Sequence, residues 1–257
     1  MKEAYKGTLG FMLALILAGG LACNGGGDGG GVSFNPVQTV VGSGNIVQET
    51  RSVTGATGVN MCGVANLTIE QGAPEELILQ TDDNLLALIF TDVQGRILGI
   101  RSAPGFDLQT SQTMEANLRL TSIDSITLSG VGGITVTDLT TTQLELTKSG
   151  VGGIDIFNLD AQTLDVLMSV IGGISVDGGQ VDDQLITFTL GSLGDYNAEN
   201  LSSLTVVVEI AGSGSATVRV NTTLNANITG SGTVFYHGSP VVTRTGNGSG
   251  SAVQLSP

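Results

Sequence analysis

The string Ser-Gly-Val-Gly-Gly-Ile occurs at residues 129–134 and again, unchanged, at 149–154. It decays to Ser-Val-Ile-Gly-Gly-Ile at 169–174, Gly-Ser-Leu-Gly-Asp-Tyr at 191–196, Ala-Gly-Ser-Gly-Ser-Ala at 211–216 and Thr-Gly-Ser-Gly-Thr-Val at 229–234. The register glycines are Gly132, Gly152, Gly172, Gly194, Gly214, Gly232 and Gly250, at successive steps of 20, 20, 22, 20, 18 and 18 residues. A period that drifts by a residue or two around one mean is the mark of stacked coils. No other feature of the chain constrains its folding as strongly.

Apolar residues alternate on either side of each register glycine. Leu164, Val166 and Met168 precede Gly172, and Ile174 and Val176 follow it. A spacing of two means a strand with one apolar face, so each repeat reads as strand, glycine corner, strand and polar turn. A single coil cannot bury that face. Stacking would place Ile134, Ile154, Ile174, Tyr196, Ala216 and Val234 in one inward ladder, and Leu144, Leu164, Ile186, Val206 and Leu224 in another. Glycine at the corner admits a sharp turn that a Cβ would obstruct. The expected fold is all-β: a parallel β-helix of 18–22-residue coils, right-handed, with a stack height of roughly 30–35 Å.

Between Thr68 and Ser122 the glycine period is lost. Residues 67–70, 77–79 and 118–120 read as strands, and 91–98 as a hairpin around Gln94-Gly95. Residues 83–89 suit a short helical turn capped by Asp83. This segment, 68–122, is expected to form a small antiparallel sheet covering one end or side of the coils at 123–257, since solenoid ends must be capped. Gly42-Ser43-Gly44-Asn45 and Cys62-Gly63-Val64-Ala65 look like two early copies of the corner.

The front of the chain has a different chemistry. Residues 1–22 carry Lys2 and Lys6 before an uncharged apolar run from Leu9 to Ala18, too short to span a membrane and suited to an export signal. It ends in Gly20-Leu21-Ala22-Cys23, which resembles the lipobox of bacterial lipoproteins, although Gly20 stands where leucine is usual. The resemblance implies cleavage before Cys23, lipidation of that cysteine, and a membrane anchor. Ordinary secretion with cleavage after Ala22 is the alternative. Asn24, rather than aspartate, after the cysteine favours the outer membrane. Residues 23–36 are glycine-rich and form a tether, and 37–257 form the folded domain.

The formal net charge of −14 weighs against nucleic-acid and anionic-lipid partners. With no tryptophan and three tyrosines, aromatic platforms for sugars are scarce. No cofactor or metal is implied.

The strings at 42–46, 57–69 (Thr-Gly-Val-Asn-Met-Cys-Gly-Val-Ala-Asn-Leu-Thr-Ile) and 82–86, with the corners and the lipobox, resemble the head GIN domain family of putative auto-transporter adhesins. The resemblance covers about residues 40–255. It implies a β-helix-like fold with an antiparallel portion, often lipid-anchored, and carries no catalytic residues. Where the family's corner commonly has aspartate, this chain has Gly133, Gly153 and Gly173, and only Asp195 keeps it.

Three function classes remain in view. A polysaccharide-active enzyme would need converging carboxylates. Asp155 and Asp177 are the candidates, on neighbouring coils and about 5 Å apart if in register, and the favoured reading of them is a solvated strand face. Cys62 reads as a small corner residue, and His237, the chain's one histidine, as part of the closing coil. A lipid or envelope-polymer carrier would use Val131, Val151 and Ile171. These make an apolar stripe if they point outward, but the favoured expectation is that they pack under the antiparallel segment or inside the corner. The favoured reading is a non-catalytic binding, adhesion or scaffolding protein of the cell envelope, with polysaccharide, lipid or a surface protein as partner.

Overall fold

The computed structural model describes residues 37–256. The readings made on residues 1–36 (export signal, Cys23 and tether) lie outside them. The chain winds as a β-solenoid of about six turns with a small antiparallel portion towards its N-terminal end.

Stacking at the glycine corner is so close that only hydrogen fits. A Cβ on Gly152 would collide with the carbonyl oxygen of Gly132, and one on Gly132 with that of Ala65. The same collision recurs up the column, from Gly194 onto Gly172 to Gly250 onto Gly232. Gly132 and Gly152 also hold φ of 131° and 125°, a region closed to other residues. At the later register glycines, Gly194, Gly214, Gly232 and Gly250, φ is not in that region and the close approach alone demands glycine.

Between corners the expected polar turn is itself paired strand. Ile134–Lys148 and Ile154–Met168 are continuous 15-residue strands. Their register runs through 134–136, 138–141 and 143–148, breaking at 137 and 142. Each coil therefore has three short faces, with bends at those two positions and at the glycine corner.

The first ladder forms as expected: Ile134, Ile154, Ile174, Tyr196, Ala216 and Val234 are in successive register and buried. The second differs at one rung. Leu164 pairs with Gln184, and Gln184 with Val206. Ile186 belongs instead to the ladder of Leu146, Val166 and Val208. The two extra residues of the 22-residue step sit after Phe188, around Leu190 and Gly191, so positions before them keep a step of 20. Gln184 is buried and satisfied there: Tyr196 Oη donates to its Oε1 (2.7 Å), and its Nε2 donates to Ser203 Oγ.

The N-terminal portion starts the stack and closes its end. Gly58–Met61 and Asn66–Gln71 pair in parallel with the coil at 125–136 on one side, and with Ile97–Ser102 and Glu115–Leu120 on the other. Glu76–Asp82 runs antiparallel to Glu115–Leu120 and to Ile46–Arg51, and Ile89–Gln94 antiparallel to Ile97–Ser102 around Gly95-Arg96. The Cys62–Ala65 corner is thus a true first corner. Gly42–Asn45 is not. It is a loop held by Asp82, whose carboxylate accepts from Gly44 N (2.7 Å), Ser111 N (2.9 Å) and Ser111 Oγ (2.6 Å). These hydrogen bonds, that from Ser111 Oγ foremost, hold Asp82 below the usual carboxylate pKa. Asp83 does not cap a helix: it binds Ser43 and Asn45, and the single 3₁₀ turn at Leu86–Leu88 has Leu85 as its cap.

Gly152→Ala is expected to lose about 3 kcal/mol of stability in urea unfolding, from collision and backbone strain together. At Gly55, where φ is 82° and a Cβ meets open space, alanine should cost only about 1 kcal/mol. Equal losses at the two sites would refute the close-packed corner.

Candidate functional site

The residue between the corner glycines has nowhere to point but outward, because the coil below occupies the inner side. Val131, Val151 and Ile171 are accordingly exposed, by 47%, 64% and 67%. They pack neither under the antiparallel portion nor inside the corner. Val64 in the first coil and Leu193 in the fifth corner, each 56% exposed, extend the stripe in both directions. Parallel bridges join Val64 to Val131 and Val131 to Val151. At one coil spacing per residue the ridge is about 20 Å long. Beyond Leu193 the equivalent positions are Ser213, Ser231 and Ser249, also exposed.

Lys148 holds this ridge from within. It is fully buried in the ladder between Leu128 and Met168. In the earlier corners Val131 N donates to Gly63 O, Val151 N to Gly130 O, and Gly132 N to Val151 O, each at 2.9–3.0 Å. Among the described residues that pattern does not continue to Ile171. Val170 stands where Gly130 and Gly150 stand in the coils before, and a Cβ at those positions strikes the previous coil. Lys148 Nζ takes up the two acceptors instead, donating to Gly150 O (2.9 Å) and Ile171 O (2.7 Å).

A second surface lies at the bend near residue 142. A groove of about 570 Å³ runs across four coils there and ends at Asn221 of the next. One wall is the register row Thr140, Asp160, Gln180 and Ser202; the other is Thr142, Gln162, Asp182 and Leu204. Ala161, Val181 and Ser203 form its floor, all buried. From the sequence this bend reads as a bare polar turn. The missed signal is that polar side chains recur there at one register in every coil.

The carboxylates singled out for catalysis do not pair. Asp155 is in register with Ser175, and Ser175 Oγ donates to Asp177, whose position is two residues farther on. Burial, and then repulsion from Asp177, raise the Asp155 pKa. His237 lies in the closing coil, 3.9 Å from Glu199, and Cys62 Sγ contacts Asn60. No group of three or more His, Cys, Asp and Glu side chains among the described residues is placed to hold a metal ion. No helix among them is long and apolar enough to cross a membrane.

Burial holds the Lys148 pKa below its ordinary 10.5. Between the folded and unfolded values the unfolded chain binds more protons, so stability rises with pH in that window; below it the desolvation penalty stands in full. Comparing wild type with Lys148→Met in urea at about pH 7 and about pH 10 should therefore show the wild type gaining on the variant at the higher pH. A constant difference would mean that the ammonium is not desolvated. At neutral pH, Lys148→Ala should cost about 3 kcal/mol through the cavity it leaves.

The fold recurs in known proteins. Three crystal structures of bacterial proteins share the fold. A putative adhesin from Bacteroides fragilis superposes with a TM-score of 0.79 at 23% identity over 84% of this chain and 100% of the other. A putative lipid binding protein from Parabacteroides distasonis does so at 0.72 and 21% over 85% and 100%. A putative adhesin from Parabacteroides merdae gives 0.64 and 18% over 85% and 99%. No curated protein matches the chain. The family model described as "Putative auto-transporter adhesin, head GIN domain" matches residues 57–240, from the first coil to the closing one, and the chain belongs to that family.

Proposed function

We propose that this is a non-catalytic adhesion protein of the bacterial cell envelope, anchored by a lipid on Cys23 and docking a partner through the ridge Val64–Leu193. The observation that carries this is internal to the chain. Ser213, Ser231 and Ser249 occupy the same corner position in the last three corners, so the fold accepts serine there. Valine, isoleucine and leucine in the first five corners are about half exposed or more, and together form an apolar row on the surface. Such patches on a soluble face mark contact with a partner or a lipid. Membership of an adhesin-named family is in keeping with this reading. A second use of the same ridge is to hold an acyl chain. The lipid-binding name of the Parabacteroides distasonis protein favours that use, and mass spectrometry of lipid co-purifying with the full chain tests it.

The experiment compares cells displaying the full chain with cells displaying Val151→Ser/Ile171→Ser. Adherence is expected to fall about tenfold, a loss of about 1.4 kcal/mol of binding, while the melting temperature stays within a few degrees. Unchanged adherence would remove the ridge from the function. Cys23→Ser is expected to move the protein from the membrane fraction to the soluble one. A glycan-cleaving activity lost in Asp155→Asn or Asp177→Asn would overturn the non-catalytic reading.

A further inference from the structure

We infer that the groove at the second bend binds an extended, uncharged polysaccharide strand lying along the solenoid axis, an inference that deepens the reading of this chain as a non-catalytic binding protein. The groove is separate from the ridge, on another corner of the coil cross-section.

Its chemistry selects the ligand class. Apart from Leu204 both walls are polar, and among the described residues lining the groove there is neither an aromatic ring nor a lysine or arginine. A small apolar ligand needs a mostly apolar enclosure, which this is not. A polyanion would meet Asp160 on one wall and Asp182 on the other without a cation to offset them. Hydroxyl groups suit the site: Thr140, Ser202 and Gln180 donate and accept, and the carboxylates accept.

At one end of the groove Asn221 Nδ2 donates to Ser202 Oγ (3.0 Å), while the side chains at its centre are only weakly committed to one another. Gln180 Nε2 lies 3.4 Å from both oxygens of Asp160, too long for a strong bond, so both groups remain able to take outside partners. In the free protein those partners are water, and sugar hydroxyls replace water with little loss of hydrogen bonding. Leu204, 48% exposed on the rim, offers a patch for the C–H face of a sugar ring.

Repetition selects an extended polymer. Each coil contributes one rung, and rungs recur at about 4.8 Å, comparable with the length of one sugar ring in an extended chain. Four coils therefore address successive sugars with similar groups. The floor is fixed from beneath. Ser203 is buried, and its Oγ accepts from Gln184 Nε2, which is itself tied through Oε1 to Tyr196 in the opposite ladder. Such a chain of buried polar groups replaces apolar rungs that the neighbouring coils retain, and it gives the floor a defined position. A peptide would need free backbone groups to add as a strand. Along 145–148 and 159–168 the backbone is paired on both sides, and at Thr140, where a strand lies on one side only, the Gln71 side chain takes both the N–H (2.9 Å) and the carbonyl (3.0 Å).

The test is affinity electrophoresis of the full chain through gels holding soluble dextran, mannan, xylan or arabinogalactan, with polygalacturonate as the charged comparator. At least one neutral polymer is expected to retard the wild type. The double variant Asp160→Ala/Gln180→Ala should weaken that retardation at least tenfold, and Gln162→Arg, which fills the groove, should do the same. Val151→Ser/Ile171→Ser should leave it unchanged. Three results overturn the inference: no retardation by any neutral polymer, retardation indifferent to the groove variants, or preference for polygalacturonate. If adherence through the ridge survives any of these, the groove inference falls alone. Shortening of the retarding polymer would instead overturn the non-catalytic reading on which it rests.

Discussion

Everything in this solenoid hangs on a contact between a glycine Cα and the carbonyl of the glycine one coil below. Strand ladders fix the spacing of coils along the faces. At the corner the chain must turn within that spacing, and the structure leaves no volume for a Cβ at Gly132, Gly152, Gly194, Gly214, Gly232 or Gly250. The consequence reaches the surface. With glycines on both sides packed against the neighbouring coil, the residue between them is the one side chain at the corner with freedom to extend, and outward is its only direction. The exposed ridge therefore arises from the same geometry that stacks the coils.

The corner with Val170 shows what happens when the rule is broken. A β-branched side chain stands where glycine is needed, the backbone bonds of the earlier corners do not carry on to Ile171, and two carbonyls lose their partners. An unpaired buried carbonyl costs about 1–3 kcal/mol. One buried lysine reaches both. Its ammonium is poorly solvated there, so the repair has its own cost, which shows as a lowered pKa. Lys148 is thus a structural amine beneath the ridge.

Most of the architecture was legible because alternation and glycine period are local signals. The coil boundaries, the first ladder and the hairpin after Gln94 could all be read from residue spacing, whereas the outward direction of Val131, Val151 and Ile171 could not, because an apolar residue at a corner suits packing as well as exposure. The misplaced pairings share one cause. The 22-residue step between Gly172 and Gly194 does not say where its two extra residues lie. Placing them early pairs Leu164 with Ile186 and brings Asp155 towards Asp177. The structure places them late, around Leu190, which is 86% exposed, so Gln184 enters the core and Asp155 faces Ser175. An apolar pattern favours Ile186 over Gln184, because a buried glutamine is intelligible only once Tyr196 and Ser203 are seen beside it. Gly42-Ser43-Gly44 misled in a similar way: it has a corner's composition but not a corner's neighbours.

The two surfaces differ because the two kinds of corner differ. At the glycine corner the backbone is fixed by stacking, and only the identity of one side chain per coil can vary, so that surface can be apolar or polar in blocks. It is apolar from Val64 to Leu193 and serine thereafter, and the change falls just past the two-residue insertion. At the second bend the register breaks at a single residue and carries polar side chains on both flanks, so that surface varies in two rows at once and becomes concave. A convex ridge of aliphatic side chains suits an apolar partner that wraps around it. A concave polar trough suits a narrow strand that lies within it. One repeat thus presents two chemically distinct faces, and substitutions on one face leave the stacking of the other untouched.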